Sequence, residues 1–143
     1  MWVIAVPLLA TQTGDTGTPL KCLDYTGAAL WLVGFIFEAG GDWQLARFKA
    51  NSANKGKLLT NGLWSLTRHP NYFGDAAQWW GFWLIAASAG AFWTIFSPVL
   101  MSFLLMRVSG VAMLEKTLKE FKPGYTDYIS RTSAFFPWLP RRN

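Results

Sequence analysis

The chain has 143 residues, 52% of them hydrophobic and 17% aromatic, but only 15% charged, where soluble domains carry roughly 25%. Its single cysteine, Cys22, excludes an internal disulfide and offers neither a metal cluster nor a redox motif. The net charge of +5, on so apolar a chain, reads as topology signals or contacts to an anionic cofactor or headgroup, not as a nucleic-acid surface. A mean hydropathy of +0.20 leaves some segments wet, and the 9 Trp suit the lipid–water boundary.

Residues 2–10, WVIAVPLLA, form an apolar run shorter than the roughly 20 residues a span needs. They lack the basic start of a signal peptide. The run reads as the end of a helix or a short interfacial one, and the chain as the C-terminal part of a longer membrane protein. Residues 11–19, TQTGDTGTP, are punctuated as a loop. Residues 24–48 predict a helix whose first half is apolar enough to span and whose second half carries Glu38, Asp42 and Gln44. Glu38 and Asp42, four apart, share a face. The stretch that follows is wet and basic, with Lys49, Lys55, Lys57 and Arg68, and Asn54-Lys55-Gly56 and Asn61-Gly62 are turn signals. Residues 75–90 and 91–110 predict two more spans, joined as a hairpin by a tight, uncharged turn at Gly90. Ser97-Pro98 predicts a kink in the second, tolerable in a membrane helix. From Met113 the tail predicts an amphipathic helix, then a loop ending FFPWLPRRN.

The expected fold is therefore an all-α integral membrane bundle, a single domain over 1–143. It has three to four transmembrane helices and a cytoplasmic amphipathic C-terminal helix. Two spans separate the basic loop from the basic tail, so both lie on one side, cytoplasmic by the positive-inside rule. The lack of a targeting segment and the compact tail suggest a bacterial inner membrane.

The polar chemistry gathers around TRHPNYFGD, residues 67–75. Carboxylates within a membrane are costly, so Glu38 and Asp42 are expected to line a cavity open to the cytosol. The Lys run and Arg68 suit phosphates. Asp42, Gln44 and Asn71 suit sugar hydroxyls or a base edge, and Tyr72, Tyr125 and Tyr128 could stack or donate. Asp75 stands near a helix N-terminus, where anions are favoured and Asp can itself cap. Glu115 opens the tail on the same side. The set fits a nucleotide-like cofactor with its reactive end in a greasy pocket. Plainer readings stand beside it: His69 as a structural cap or headgroup contact, the lysines as topology signals, and Tyr125 and Tyr128 as interfacial anchors. Trp79, Trp80 and Trp83 read as packing or lipid-facing residues.

Four blocks, GFIFEAGGDWQLARFK, NKGKLLTNGLWSLTRHPNYFGD, SPVLMSFLLMRVSGVAMLEK and YTDYISRTSAFFPW, resemble in order, over about 26–140, the DUF1295 family. That family is grouped with the C-terminal domain of steroid 5-alpha-reductases (3-oxo-5-alpha-steroid 4-dehydrogenases). The resemblance implies a membrane oxidoreductase that reduces an activated C=C bond of a steroid-like or other lipid enone with NADPH. It implies cofactor contacts at Glu38, Asp42, Lys49, Asn71, Gly74 and Asp75. Arg68, His69, Tyr72, Glu115, Tyr125 and Tyr128 complete the expected cofactor-binding set. Asp75 stands where Glu is usual, and Gly40-Gly41 where Ala is more usual. The substrate-activating acid and tyrosine of the steroid reductases lie in an N-terminal half without counterpart here, so no catalytic residue is assigned. No metal is expected. Expected partners are the bilayer and a hydrophobic lipid or steroid-like substrate, with no nucleic acid. Oligomerising is one way the chain could complete its pocket; a fragment or a truncated product are the other readings. The shorter RHPxYxG element is shared with isoprenylcysteine carboxyl methyltransferases and phospholipid methyltransferases, which use S-adenosylmethionine. A methyltransferase is thus the alternative, and a non-catalytic membrane fragment a third reading. No GxGxxG, P-loop, GxSxG or CxxC competes.

Overall fold

The computed structural model describes residues 4–12, 20–108 and 111–141, and every regular element among them is helical. In chain order these are α1 (Val6–Gln12), α2 (Cys22–Ala50), α3 (Leu63–Leu66), α4 (Pro70–Ser88), α5 (Phe96–Phe103), α6 (Val111–Phe121) and α7 (Tyr125–Arg131), with short 3₁₀ turns at Ser52–Asn54 and Phe92–Ile95 and a π turn at Leu104–Val108. Most of the loop expected at 11–19 lies outside the described residues.

The antiparallel pair α2 and α4 forms the frame. The buried residues of α2 are Gly27, Gly34 and Gly41, seven apart, so they line one stripe with little drift. Gly74 and Gly81 on α4 keep the same interval and are buried too. The two stripes meet backbone to backbone. A Cβ placed on Gly34 would lie 2.6 Å from the Gly74 carbonyl oxygen, and one on Gly81 would lie 2.7 Å from that of Gly27. A Cβ on Gly74 would run into the Glu38 backbone nitrogen. Only glycine permits that approach.

Polar contacts pin both ends of this pair. At one end Ser88 Oγ donates to Asp24 Oδ2 at 2.9 Å, and Lys21 Nζ donates to the Ser88 carbonyl at 2.9 Å, closing the last turn of α4. At the other end Asn71 Nδ2 donates to Asp42 Oδ1 at 3.0 Å, and one turn inward Gln78 Nε2 donates to Glu38.

Three elements differ from expectation. Helix α4 starts at Pro70, not near 75, because proline at the first helical position loses no hydrogen bond. The third apolar stretch is not one kinked helix. A 3₁₀ turn leads into α5, Pro98 sits in the first turn of α5 where its missing N–H is harmless, and the stretch widens into the π turn. The tail adds α7 after Gly124, whose φ of 79° breaks the chain direction where a loop was expected.

Among the described residues one helix, α2, is long and apolar enough to cross a membrane, against the three to four expected. Helix α4 carries Asn71, Asp75 and Gln78, and Phe92–Arg107 is a shorter apolar stretch.

The final segment folds back onto the basic loop. Arg68 N donates to the Ser133 carbonyl at 2.9 Å, Trp138 N to that of Leu66 at 2.9 Å, and Thr67 Oγ1 to that of Phe135 at 3.0 Å. Loop and tail therefore share one end of the bundle, as the charge pattern required. Within FFPWLP, Phe135 is buried against Phe73 at 6.1 Å between ring centroids, while Phe136, Trp138 and Leu139 stay exposed.

The glycine stripe makes a specific prediction. Gly74→Ala should cost at least about 1–3 kcal/mol by overpacking and lower the thermal midpoint by several degrees or more. Gly40→Ala, whose Cβ would meet only the Leu63 side chain at 3.0 Å, should be neutral or gain up to about 1 kcal/mol of helix propensity. Equal midpoints for the two variants would contradict the packing.

Candidate functional site

The end where loop and tail meet encloses a cavity of about 460 Å³. Its walls come from the last turns of α2, the 51–59 segment, α3, the start of α4, α6 and α7. Apolar side chains form much of the lining: Leu45, Phe48, Leu58, Leu59, Leu114 and Leu118. Four lysines, Lys49, Lys55, Lys57 and Lys122, line it as well, and Lys49, Lys55 and Lys57 are exposed. Trp64, Arg68, His69, Tyr125 and Tyr128 complete the lining.

Local geometry explains why these groups converge. Gln44 Oε1 accepts from Leu63 N at 3.0 Å, and Trp64 Nε1 donates to the Gly41 carbonyl at 3.1 Å, so α3 is clamped onto α2. Tyr128 donates its hydroxyl to the Trp64 carbonyl, drawing α7 over α3.

Arg68 is the hub. It is 7% exposed; its Nε donates to Glu115 Oε1 at 2.8 Å, Nη2 lies 2.7 Å from the same oxygen, and Nη1 donates to the carbonyls of Ile129, at 3.2 Å, and Thr132. One guanidinium thus joins α4's start, α6 and α7, in the fork geometry that suits arginine. His69 Nε2 lies 3.3 Å from Glu115 Oε1, and its ring stacks on Tyr72 with centroids 5.5 Å apart.

Burial sets the protonation of this cluster. It holds the His69 imidazole below its ordinary pKa, more than Glu115 beside it raises it. A neutral ring therefore donates its Nε2–H to Glu115. Burial, with Glu115 adding, pushes the Tyr125 phenol up to about 12, and burial with the neighbouring Tyr125 raises Tyr128 as well.

The structure sorts the twelve expected site residues into two groups. Lys49, Arg68, His69, Tyr125 and Tyr128 line the cavity, with Glu115 bound to Arg68 and His69 behind them. Glu38, Asp42, Asn71, Gly74 and Asp75 lie on the facing helices α2 and α4 instead. Asp42 is exposed and paired with Asn71, Glu38 with Gln78, and Gly74 is packed against the α2 backbone. Tyr72 links the groups, stacking on His69 while its N–H donates to Asn71 Oδ1 at 3.1 Å. The sequence reading did not pick out Trp64 or the apolar wall. No sequence signal marked them, since a cavity wall drawn from six segments has no single period. Among the described residues no group of His, Cys, Asp and Glu could hold a metal.

A family model described as "Protein of unknown function (DUF1295)" matches residues 1–132. The chain belongs to the DUF1295 family. It is similar to Probable O-methyltransferase ustE of Ustilaginoidea virens, 34% identical over 113 residues, which are 79% of this chain and 37% of that protein. It is also similar to 3-oxo-5-alpha-steroid 4-dehydrogenase 1 of Rattus norvegicus, 34% identical over 82 residues, 57% of this chain and 31% of the relative. The Mus musculus protein of the same name is 35% identical over 63 residues. The chain spans about a third of the length of the first two relatives. No solved structure matches it significantly.

Two outcomes follow from the hub. Unfolded chain binds its histidine proton near pH 6.5, while the folded chain resists it until lower pH. Stability should therefore be full above pH 6.5 and fall as pH drops below it. His69→Gln should flatten that part of a pH-dependent unfolding profile, and an unchanged profile would contradict a buried neutral ring. Glu115→Ala should leave Arg68 buried without its carboxylate and cost about 3–5 kcal/mol, measured by thermal or denaturant unfolding.

Proposed function

We propose that the chain is the cofactor-holding part of a membrane-embedded, NADPH-dependent reductase that saturates a C=C bond of a steroid-like or other lipid enone. The observation that carries this reading is the cavity itself: an apolar interior ringed by Lys49, Lys55, Lys57 and Lys122. Such a rim favours a ligand with several phosphates and a flat apolar end. S-adenosylmethionine, with a sulfonium and an ammonium against one carboxylate, gains nothing from four lysines. The likeness to proteins named 3-oxo-5-alpha-steroid 4-dehydrogenase 1 agrees with a reductase.

Membrane placement draws on α2. Only 11% of its most apolar stretch is buried by the rest of the protein, which suits a helix facing lipid better than the core helix of a soluble fold. Leu32, Val33, Phe35 and Ile36 are all exposed, which suits lipid. Close backbone approach through glycine is how helices associate where no hydrophobic force drives them together. On this reading α4 and the 92–108 stretch accompany α2 in the bilayer. The lysine-rich end faces the cytoplasm, and the chain acts as one domain.

The residues fit the cofactor in chemical type. Lys49, Lys55, Lys57 and Lys122 would take the phosphates, Asp42 and Asn71 at the cytoplasmic end of the helix pair would take hydroxyl or amide groups, and Tyr72 offers a ring face. When bound, the cofactor supplies the hydride. The chain's part is to orient it and to keep water from the apolar end of the cavity. A second reading, methyl transfer from S-adenosylmethionine, is favoured by one observation: ustE matches a larger share of the chain than the steroid dehydrogenases do.

Thermal unfolding of the detergent-purified protein separates the two readings. NADPH should raise the midpoint in a saturable way, since a ligand that binds only the folded state stabilises it. Combined Lys55→Glu and Lys57→Glu should weaken that binding about tenfold, which is about 1.4 kcal/mol. A midpoint raised by S-adenosylmethionine and not by NADPH would sink the reductase reading in favour of the methyltransferase.

A further inference from the structure

We propose that the groove along Arg131 and Arg141 takes the phosphodiester headgroup of an anionic phospholipid, while Phe136, Trp138 and Leu139 beside it lie among the lipid's acyl chains. The inference rests on the reading of α2 as a membrane helix. The groove has a volume of about 500 Å³, and Trp138 and Leu139 line it together with Ser130, Ser133 and the two arginines. It is separate from the lysine-rimmed cavity, with Arg68 the one wall residue common to both.

Backbone hydrogen bonds hold this surface in place. Trp138 N donates to the Leu66 carbonyl at 2.9 Å, and Arg141 N donates to the Arg131 carbonyl at 3.0 Å, so the tail runs along the end of α7. The side chains it presents are nevertheless bare: Phe136 is 69%, Trp138 75% and Leu139 78% exposed. Three large apolar side chains left in the open on a pinned backbone mark a surface that something covers. The patch is continuous with the helix pair. Phe136 meets Phe73 on α4, with ring centroids 6.3 Å apart, and Phe73 meets Phe37 on α2 edge-on at 5.1 Å. Phe37 follows Ile36, which is exposed on the greasy face of α2.

The order of chemistry along the tail points to lipid and not to an acidic protein. From the helix pair outward come Phe136, then Trp138 and Leu139, then Arg141. That is the order of a membrane leaflet: acyl chain, interface where tryptophan is favoured, then phosphate. The charge is available as well. No carboxylate lines the groove, and Arg141 makes no ion pair among the described residues. The neighbouring arginines are engaged, Arg131 with Asp127, and Arg68 with Glu115 and the Ile129 and Thr132 carbonyls. Arg141 is thus the guanidinium left for an anion, and its planar fork suits the two free oxygens of a phosphodiester.

The test is thermal unfolding of the full chain in neutral detergent micelles, titrated with phosphatidylglycerol, phosphatidylcholine, inorganic phosphate or polyglutamate. Phosphatidylglycerol should raise the wild-type midpoint in a saturable way, and the other three should not. Arg141→Gln and Trp138→Ser change exposed side chains, so each should melt at the wild-type midpoint without lipid. Arg141→Gln should need about fivefold more phosphatidylglycerol for the same rise, the worth of one arginine at an anionic lipid surface. Trp138→Ser should need more than wild type too. A response that Arg141→Gln leaves intact and that Lys55→Glu with Lys57→Glu abolishes would put the lipid in the cavity and overturn the proposal. An equal rise with phosphatidylcholine or inorganic phosphate would overturn it as well, and so would one with polyglutamate, in favour of an acidic protein partner. Alkaline carbonate washing of the chain in phosphatidylcholine vesicles tests the membrane helix separately. A chain released by the wash that still answers to phosphatidylglycerol through Arg141 would keep the headgroup groove and discard the span of α2. A chain that resists the wash but gives no rise with phosphatidylglycerol would keep the span and overturn the groove.

Discussion

The backbones of α2 and α4 touch at Gly34 and Gly74, and most of the structure depends on that contact. Two helices this close cannot slide, because any shift brings a side chain against a carbonyl. The register it fixes sets Asp42 opposite Asn71 and Glu38 opposite Gln78 at one end, and Asp24 opposite Ser88 at the other. Glycine in a helix costs about 1 kcal/mol relative to alanine. Close van der Waals packing along the stripe offsets that cost. The same geometry turns the bulky apolar residues of α2 outward, where Leu32, Val33 and Ile36 form a greasy face.

A second device works at the lysine-rich end. The peptide groups around Thr67 and Arg68 are stitched to residues 133–135, and the Arg68 side chain reaches Glu115 and α7. The cavity lies between that assembly and the last turn of α2, so its shape depends on both devices. A buried guanidinium, a neutral imidazole and one carboxylate satisfy one another there. The charge open to water is that of Lys49, Lys55 and Lys57, which are exposed on the cavity lining.

Composition and charge pattern made the helical class, the shared end of loop and tail, the Gly90 turn and α2 legible. Family membership was legible because four motif blocks keep their order. The long-range pairings were not. Arg68 and Glu115 are 47 residues apart, and nothing in either segment names the other. Pro70 hid the start of α4 behind a residue that reads as a breaker. The glycine interval at 27, 34 and 41 and at 74 and 81 was present in the sequence, but its meaning requires both helices side by side. The candidate site was read as one cluster because its residues cluster along the chain. In space the helix turns Asn71 toward α2, whereas His69 and Arg68, just before its first turn, face the tail.

The proposed function requires that the lysine-rimmed cavity take a phosphate-bearing nicotinamide cofactor against an apolar wall. Trp64 in that wall reports on it directly. NADPH titrated into the purified chain should quench tryptophan emission and brighten its own fluorescence by energy transfer. The transfer should saturate, with a smaller amplitude in a folded Trp64→Phe variant, since the other tryptophans of the chain transfer as well. Transfer that rises linearly without saturation would contradict this reading.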